Sequence, residues 1–213
     1  MFYVLRNPDR TVFRYAERSF RAFVDSIRHE PWFGRTVFVV TGDHGFPLGE
    51  HGCTSMGCGL FDESTWTPLL IWGPHPALVP GREHAGVASQ VDIAPTILSL
   101  AGVRVANHCT GHDLLSVPDG LVPPRVRLAN HYDEMLVATD SVRVHATVAS
   151  GLPRNGGFQA FRRQGDPLEK NDLWKTDSTR FEALVALGRR AHVLQETILK
   201  RDALAPKLPA GAR

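Results

Sequence analysis

Asp43 and His44 stand side by side in "VFVVTGDHGFPLGEHG", residues 37 to 52, directly after a run of apolar residues. A carboxylate oxygen and an imidazole nitrogen are suitable donors to a divalent cation such as Ca²⁺, Mg²⁺, Mn²⁺ or Zn²⁺. Gly45 lets the backbone turn sharply beside such an ion. In open α/β sheets ligands bind beyond the carboxyl ends of the strands, and the pair falls at such a point. The competing reading is an Asp that caps a turn and a His that packs or faces water. The same loop holds Glu50 and His51. His51 is a candidate catalytic residue that supplies a proton or a hydrogen bond, or else a histidine that stabilises its own loop. Glu50 reads as a structural carboxylate.

Other chemistry-bearing residues are more dispersed. "HCTGHD", 108 to 113, sets His108 and His112 at a spacing that brings two imidazoles together only on a helix. Gly111, after a helix stop, argues for a loop instead. His131 in "ANHYDE" stands near the start of a strand and is a candidate substrate contact, with an ordinary surface histidine as the alternative. Cys53, Cys58 and Cys109 are too few and too irregular for a disulfide framework or a structural zinc site, and read as buried or loop thiols.

These residues need elements to hold them. Phe13, Ala16, Phe20, Phe23 and Ile27 recur at helical spacing over 10 to 29, with charged residues turned away. "TVFVV" and "PLLIW" lack polar alternation, which suits strands buried on both faces in a mostly parallel sheet. "SQVDIAPTILSLAG" reads as a helix capped by Ser89 or Asp92, with Pro95 in its first turn and Gly102 as its stop. After about residue 105 the segments shorten and alternate: "RVRLAN", "MLVATD", "SVRVHATV" and "FQAFRR" predict a small antiparallel sheet. A last helix is expected over about 178 to 201. The expected class is α/β, with residues 1–105 forming part of a mostly parallel core and 106–213 a small antiparallel sheet plus terminal helix.

The bulk composition narrows the partners. Of 213 residues, 43% are hydrophobic, and 24 Lys plus Arg against 22 Asp plus Glu leave a formal charge of only +2. That is no dense basic face, so nucleic acid is not an expected partner. No apolar stretch has the length of a membrane span, and "MFYVLRNPDR" lacks a signal-peptide core. The chain reads as soluble as written, with its compartment open.

Four motifs in order carry a family resemblance. "TVFVVTGDHGFPLGEHG" resembles the second metal-binding strand of the sulfatase family, within the alkaline-phosphatase superfamily. "LFDESTWTPLLIWGP", 60 to 74, resembles the family's next block, and "VASQVDIAPTILSLAGV", 87 to 103, its Val-Asp-x-x-Pro-Thr helix. "FRRQGDPLEKNDL", 161 to 173, is similar to its Asp-Pro-x-Glu-x-x-Asn-Leu signature, with Asp172 inserted after Asn171.

The resemblance implies an alkaline-phosphatase-like fold and metal-assisted attack on a sulfate or phosphate ester. Asp43 and His44 would supply part of the shell of one divalent ion, Ca²⁺ foremost, and Asp92 and Pro95 would serve as a helix start. It also implies two departures. The family's nucleophile, a formylglycine made from Cys in Cys-x-Pro-x-Arg or a Ser or Thr in the transferase branch, has no counterpart here. The three cysteines continue as "CTSMG", "CGLFD" and "CTGHD". Where the family places a Lys or His after the metal pair, this chain has "CTSMGCG". The expected identity is the C-terminal half of a sulfatase-type hydrolase, with an N-terminal half as its partner. The alternatives are a phosphoglycerol or phosphoethanolamine transferase and a non-catalytic remnant.

Overall fold

The computed structural model describes residues 10–52, 54–55, 59–83, 88–104, 109–116, 126–148 and 157–200. They fall into two compact units: one holds the described residues up to Asp43 with Thr67–Glu83, the other His44–Trp66 with the described residues from 88 onward.

In the first unit, helix α1 (Arg10–Ile27) precedes strands β1 (Phe38–Thr41) and β2 (Leu69–Trp72). Both strands occur where the apolar runs placed them. The two pair antiparallel, Phe38 opposite Trp72 and Thr41 opposite Leu69, rather than as neighbours in the expected parallel sheet. An apolar run reports capacity for burial and carries no information on strand direction. Aromatic packing joins the elements: Phe38 stacks on Trp72 at 4.7 Å, and Phe20 of α1 meets the Trp72 ring edge-on at 6.1 Å. Expected burial on both faces is not reached either, because Leu70 on β2 is 51% exposed and Phe13 and Phe23 on α1 are about half exposed.

The second unit is built on a four-stranded antiparallel sheet in the order β3 (Arg127–His131), β4 (Glu134–Ala138), β5 (Val142–Thr147), β6 (Gln159–Arg162). All four alternating segments became strands. Side chains alternate across a sheet, so β4 and β5 each serve two faces. Met135, Val137, Val142, Val144 and Ala146 join Phe181 and Val185 of the terminal helix, here Thr179–Lys200, in the main core. Leu136 and Ala138 pack instead with Leu60, which leads into a one-turn helix, Asp62–Thr65. We label the helices of this unit α2 (Asp62–Thr65), α3 (Ile93–Leu100) and α4 (Thr179–Lys200). Ser89 and Asp92 form a reciprocal capping box ahead of α3, so both expected caps are used at once.

The terminal helix lies close on its sheet at Gly188. A Cβ built there would sit 2.4 Å from Val137 Cγ2 and 2.9 Å from Met135 Sδ. Gly188→Ala gains at most about 1 kcal/mol of helix propensity. Overpacking of a filled core costs roughly 1–3 kcal/mol, and the valine methyl cannot swing clear. The expected outcome is a net loss of stability, seen as a lower urea midpoint with an unchanged slope.

Candidate active-site loop

Asp43 and His44 follow β1, and both side chains are exposed. His44 Nδ1 lies 2.7 Å from the carbonyl oxygen of Gly45. In a neutral ring Nδ1–H therefore donates to that oxygen, and Nε2 carries the lone pair. This is how a metal-ligating histidine is ordinarily held, with one nitrogen bonded to the protein and the other presented to the ion. The donor chemistry of His44 thus fits one position in a divalent ion's shell, and a carboxylate such as that of Asp43 is chemically suited to another. Among the described residues no group of three or more His, Cys, Asp or Glu is gathered in a way that could complete it.

The loop that follows His44 is anchored on α2. Gly45 N–H donates to Ser64 O at 2.9 Å. A Cβ at Gly45 would lie 2.2 Å from Glu63 O, so only glycine allows this approach. Pro47 is fully buried. Glu50 accepts the Leu48 N–H at 2.6 Å, which makes it the structural carboxylate expected. His51 Nδ1 meets Glu63 Oε1 at 2.6 Å, and its ring stacks on Phe61 at 3.8 Å with 7° between the planes. Its Nε2 is buried with no hydrogen-bond partner among the described residues. A ring held on one face by Phe61 and at one edge by Glu63 favours the loop-stabilising role over that of proton donor.

The one-turn helix is in turn fixed by the Asp-Pro-x-Glu motif. Asp166 accepts the N–H groups of Lys170 and Asn171 at 3.0 and 2.9 Å, closing a tight loop. Within it Glu169 adopts φ 48°, a left-handed conformation that costs a non-glycine residue roughly 1–2 kcal/mol. The strained backbone aims its buried carboxylate at α2. Glu169 Oε2 accepts the Asp62 N–H at 2.8 Å, and Oε1 lies 3.3 Å from Arg143 Nη1 and 3.4 Å from His145 Nε2. Arg143 also pairs with the Asp62 carboxylate.

Burial and charge act differently on the two acids. Burial raises the Asp62 carboxyl above its ordinary range, with Arg143 opposing the rise and Glu169 adding to it. Burial would raise Glu169 too, but the His145 ring, the Asp62 N–H and Arg143 together outweigh it and hold it below. At 3.4 Å the His145 contact is long for a hydrogen bond, so we ascribe its influence mainly to electrostatics. Arg163 is lowered by burial and by the neighbouring Arg143.

The other candidates lie elsewhere. His131 ends β3, half-buried, with its ring 4.5 Å from that of Tyr132. His112 has an exposed side chain, and its backbone N–H donates to buried Asp92 at 2.8 Å; Asp92 also accepts the Ser89 N–H, as a helix start should. Cys109 is half-buried. Cys53, Cys58 and His108 lie outside the described residues. Sequence reasoning missed Glu63, Arg143, His145 and Glu169 as partners. The available signal was Arg143 and His145 two apart on a β-branched strand, two polar groups that alternation sends to one face.

Comparisons with known proteins agree on one family. Residues 8–103 match the sulfatase family model, and three of the four motifs fall inside that range. A 92-residue stretch is 38% identical to arylsulfatase K of Xenopus laevis, covering 43% of this chain and 17% of that protein. A 99-residue stretch is 36% identical to an N-acetylglucosamine-6-O-sulfatase of Bacteroides thetaiotaomicron, covering 46% of this chain and 17% of that one. A solved structure of a protein in complex with its substrate D-glucosamine-2-N,6-O-disulfate superposes with a TM-score of 0.62 at 21% identity, over 89% of this chain and 39% of the other. The chain therefore spans well under two thirds of the length of these proteins. The sulfatase resemblance is borne out, and the chain shares the α/β fold of its solved neighbours.

The opposed acids predict a specific pH response. Glu169 has a lowered folded-state pKa, so its contribution is complete above the ordinary carboxylate range and is lost as pH falls through the folded value. Asp62 has a raised one, so its contribution is present at low pH and is lost as pH rises through the folded value. Glu169→Gln should cost about 2 kcal/mol at neutral pH, and the gap to wild type should close on acidification. For Asp62→Asn the comparison should move toward the wild type as pH falls. Urea midpoints at pH 7 and across the acid range check both.

Proposed function

We propose that this chain serves a metal-dependent hydrolase of sulfate esters, of sulfatase type, with Asp43 and His44 as two ligands of one divalent ion. The observation that carries the reading is the sulfatase match over residues 8–103, which contains the Asp43-His44 pair. The Nδ1 contact of His44, which leaves Nε2 as the lone-pair nitrogen, supports it independently. Ca²⁺ is the first candidate, with Mn²⁺, Mg²⁺ and Zn²⁺ as the other ions that Asp and His accept.

When bound, the ion would draw charge from the non-bridging oxygens of the ester and orient a hydroxyl nucleophile. Asp43 and His44 would anchor it, and the turn at Gly45 would hold His44 in its ligating tautomer. His131 would contact the substrate. None of the cysteines carries the Pro-x-Arg continuation of a formylglycine site, so the nucleophile would come from sequence outside these 213 residues. The disulfated glucosamine bound by the solved neighbour, and the N-acetylglucosamine-6-O-sulfatase among the relatives, make a sulfated sugar the first anionic ester to try.

With two ligands visible, the chain should bind Ca²⁺ or Mn²⁺ weakly, and Asp43→Ala should remove most of that binding in a calorimetric titration. The chain alone should hydrolyse 4-nitrophenyl sulfate negligibly. A complete protein carrying the nucleophile should turn over, and Asp43→Asn or His44→Ala in it should each lower kcat about a hundredfold or more. Tight metal binding that survives Asp43→Ala, or turnover by the chain alone that vanishes in Cys53→Ser, would overturn the assignment. Turnover of a phosphoglycerol donor in place of the sulfate ester would favour the transferase branch.

A further inference from the structure

We infer that Glu63 is a positioning residue for the segment His44–His51, which it holds through His51 on one side and through the backbone of its own helix on the other. The inference deepens the reading of Asp43 and His44 as a metal pair and rests on it for its functional meaning.

The loop "HGFPLGEHG" contains three glycines and no regular secondary structure, so its position depends largely on contacts outside the loop. Its anchors converge on α2. At the start of the loop Gly45 donates to Ser64 O and passes Glu63 O with no room for a side chain. At its end His51 bonds Glu63 Oε1 at 2.6 Å, and both side chains are nearly buried, 18% and 12% exposed. One residue, Glu63, therefore touches both ends: its carbonyl the beginning and its carboxylate the end. In so short a loop, fixing both ends leaves the backbone at His44 few alternatives.

The strength of the contact follows from its surroundings. A carboxylate-to-imidazole hydrogen bond is charge-assisted and is worth more where water is excluded. The Phe61 ring lies flat on His51 and shields it. Among the described residues His51 Nε2 has no partner, so within them the ring is oriented by Nδ1 and the stack. The helix that carries Glu63 is a single turn and would not stand alone. Arg143 on β5 and Glu169 in the loop 166–171 secure its first residue, Asp62.

The test compares wild type, Glu63→Ala, Glu63→Gln and His51→Phe by amide hydrogen exchange and imidazole ¹⁵N spectra, with Mn²⁺ alone as the metal probe. Glu63→Ala should speed Gly45 amide exchange about tenfold or more, leave the Val137 and Val144 amides of the sheet unchanged, and shift the His44 ring signals. Glu63→Gln keeps an acceptor and should restore most of the protection, whereas His51→Phe, which keeps only the stack, should resemble Glu63→Ala. Mn²⁺ affinity should fall in the same order. A change in global stability alone would move none of the His44 signals and would show no rescue by Gln. Should Glu63→Ala unfold the sheet, the contrast between Glu63→Gln and His51→Phe decides. Unchanged Gly45 exchange and His44 signals in His51→Phe and a folded Glu63→Ala overturn the inference. If Mn²⁺ binding ignores Asp43→Ala while Gly45 exchange still follows Glu63, the metal reading fails and the positioning role stands.

Discussion

A buried carboxylate on a strained backbone, Glu169, is the contact on which the loop's mount depends. Its desolvation alone would disfavour the charged form, yet its pKa is lowered. The Asp62 N–H, Arg143 and His145 surround it closely enough to reverse the sign. An isolated buried charge costs several kcal/mol, so the carboxylate is tolerable only while all these partners are in place. Loss of any one partner raises the cost of the rest, which couples a C-terminal loop, a central strand and a one-turn helix more than a hundred residues earlier in the chain.

The elements of the fold were legible because they are local. Phe13, Phe20 and Phe23 mark α1 by spacing, the alternation of "SVRVHATV" marks β5, and Ser89 with Asp92 marks the start of α3. The direction of β1 against β2 was not legible, since pairing is a relation between segments that neither sequence contains. The burial of those strands was overestimated for a related reason. Leu70 is as apolar as a core residue, but its exposure is set by what lies over it.

The site divides along the same line. Asp43 and His44 were found because the donors are adjacent and their types suit a cation. Glu63 escaped notice because its meaning comes from His51, twelve residues away, and that of Glu169 from Asp62, at 107. The signature "DPLEKNDL" pointed to a family without stating its physical use. Its geometry supplies one: Asp166 folds the loop on itself, and the loop presents Glu169 to α2. A surface motif by composition thus proves to be an internal strut.

Why this mount is ionic, when apolar contacts are at hand, follows from directionality. Leu60 already packs with Leu136 and Ala138 on the same side of the sheet. Apolar contact rewards buried area with little regard to rotation, so a one-turn helix held by Leu60 alone could turn or slide with small loss. A shift of an ångström would carry Glu63 out of reach of His51. Hydrogen bonds, including those between a guanidinium and a carboxylate, weaken steeply with angle and distance. The Glu169, Arg143 and Asp62 contacts therefore fix one orientation of α2 among those that burial would accept. That selection is worth its desolvation cost only if something downstream needs a single orientation, and the element downstream is the loop that begins at His44.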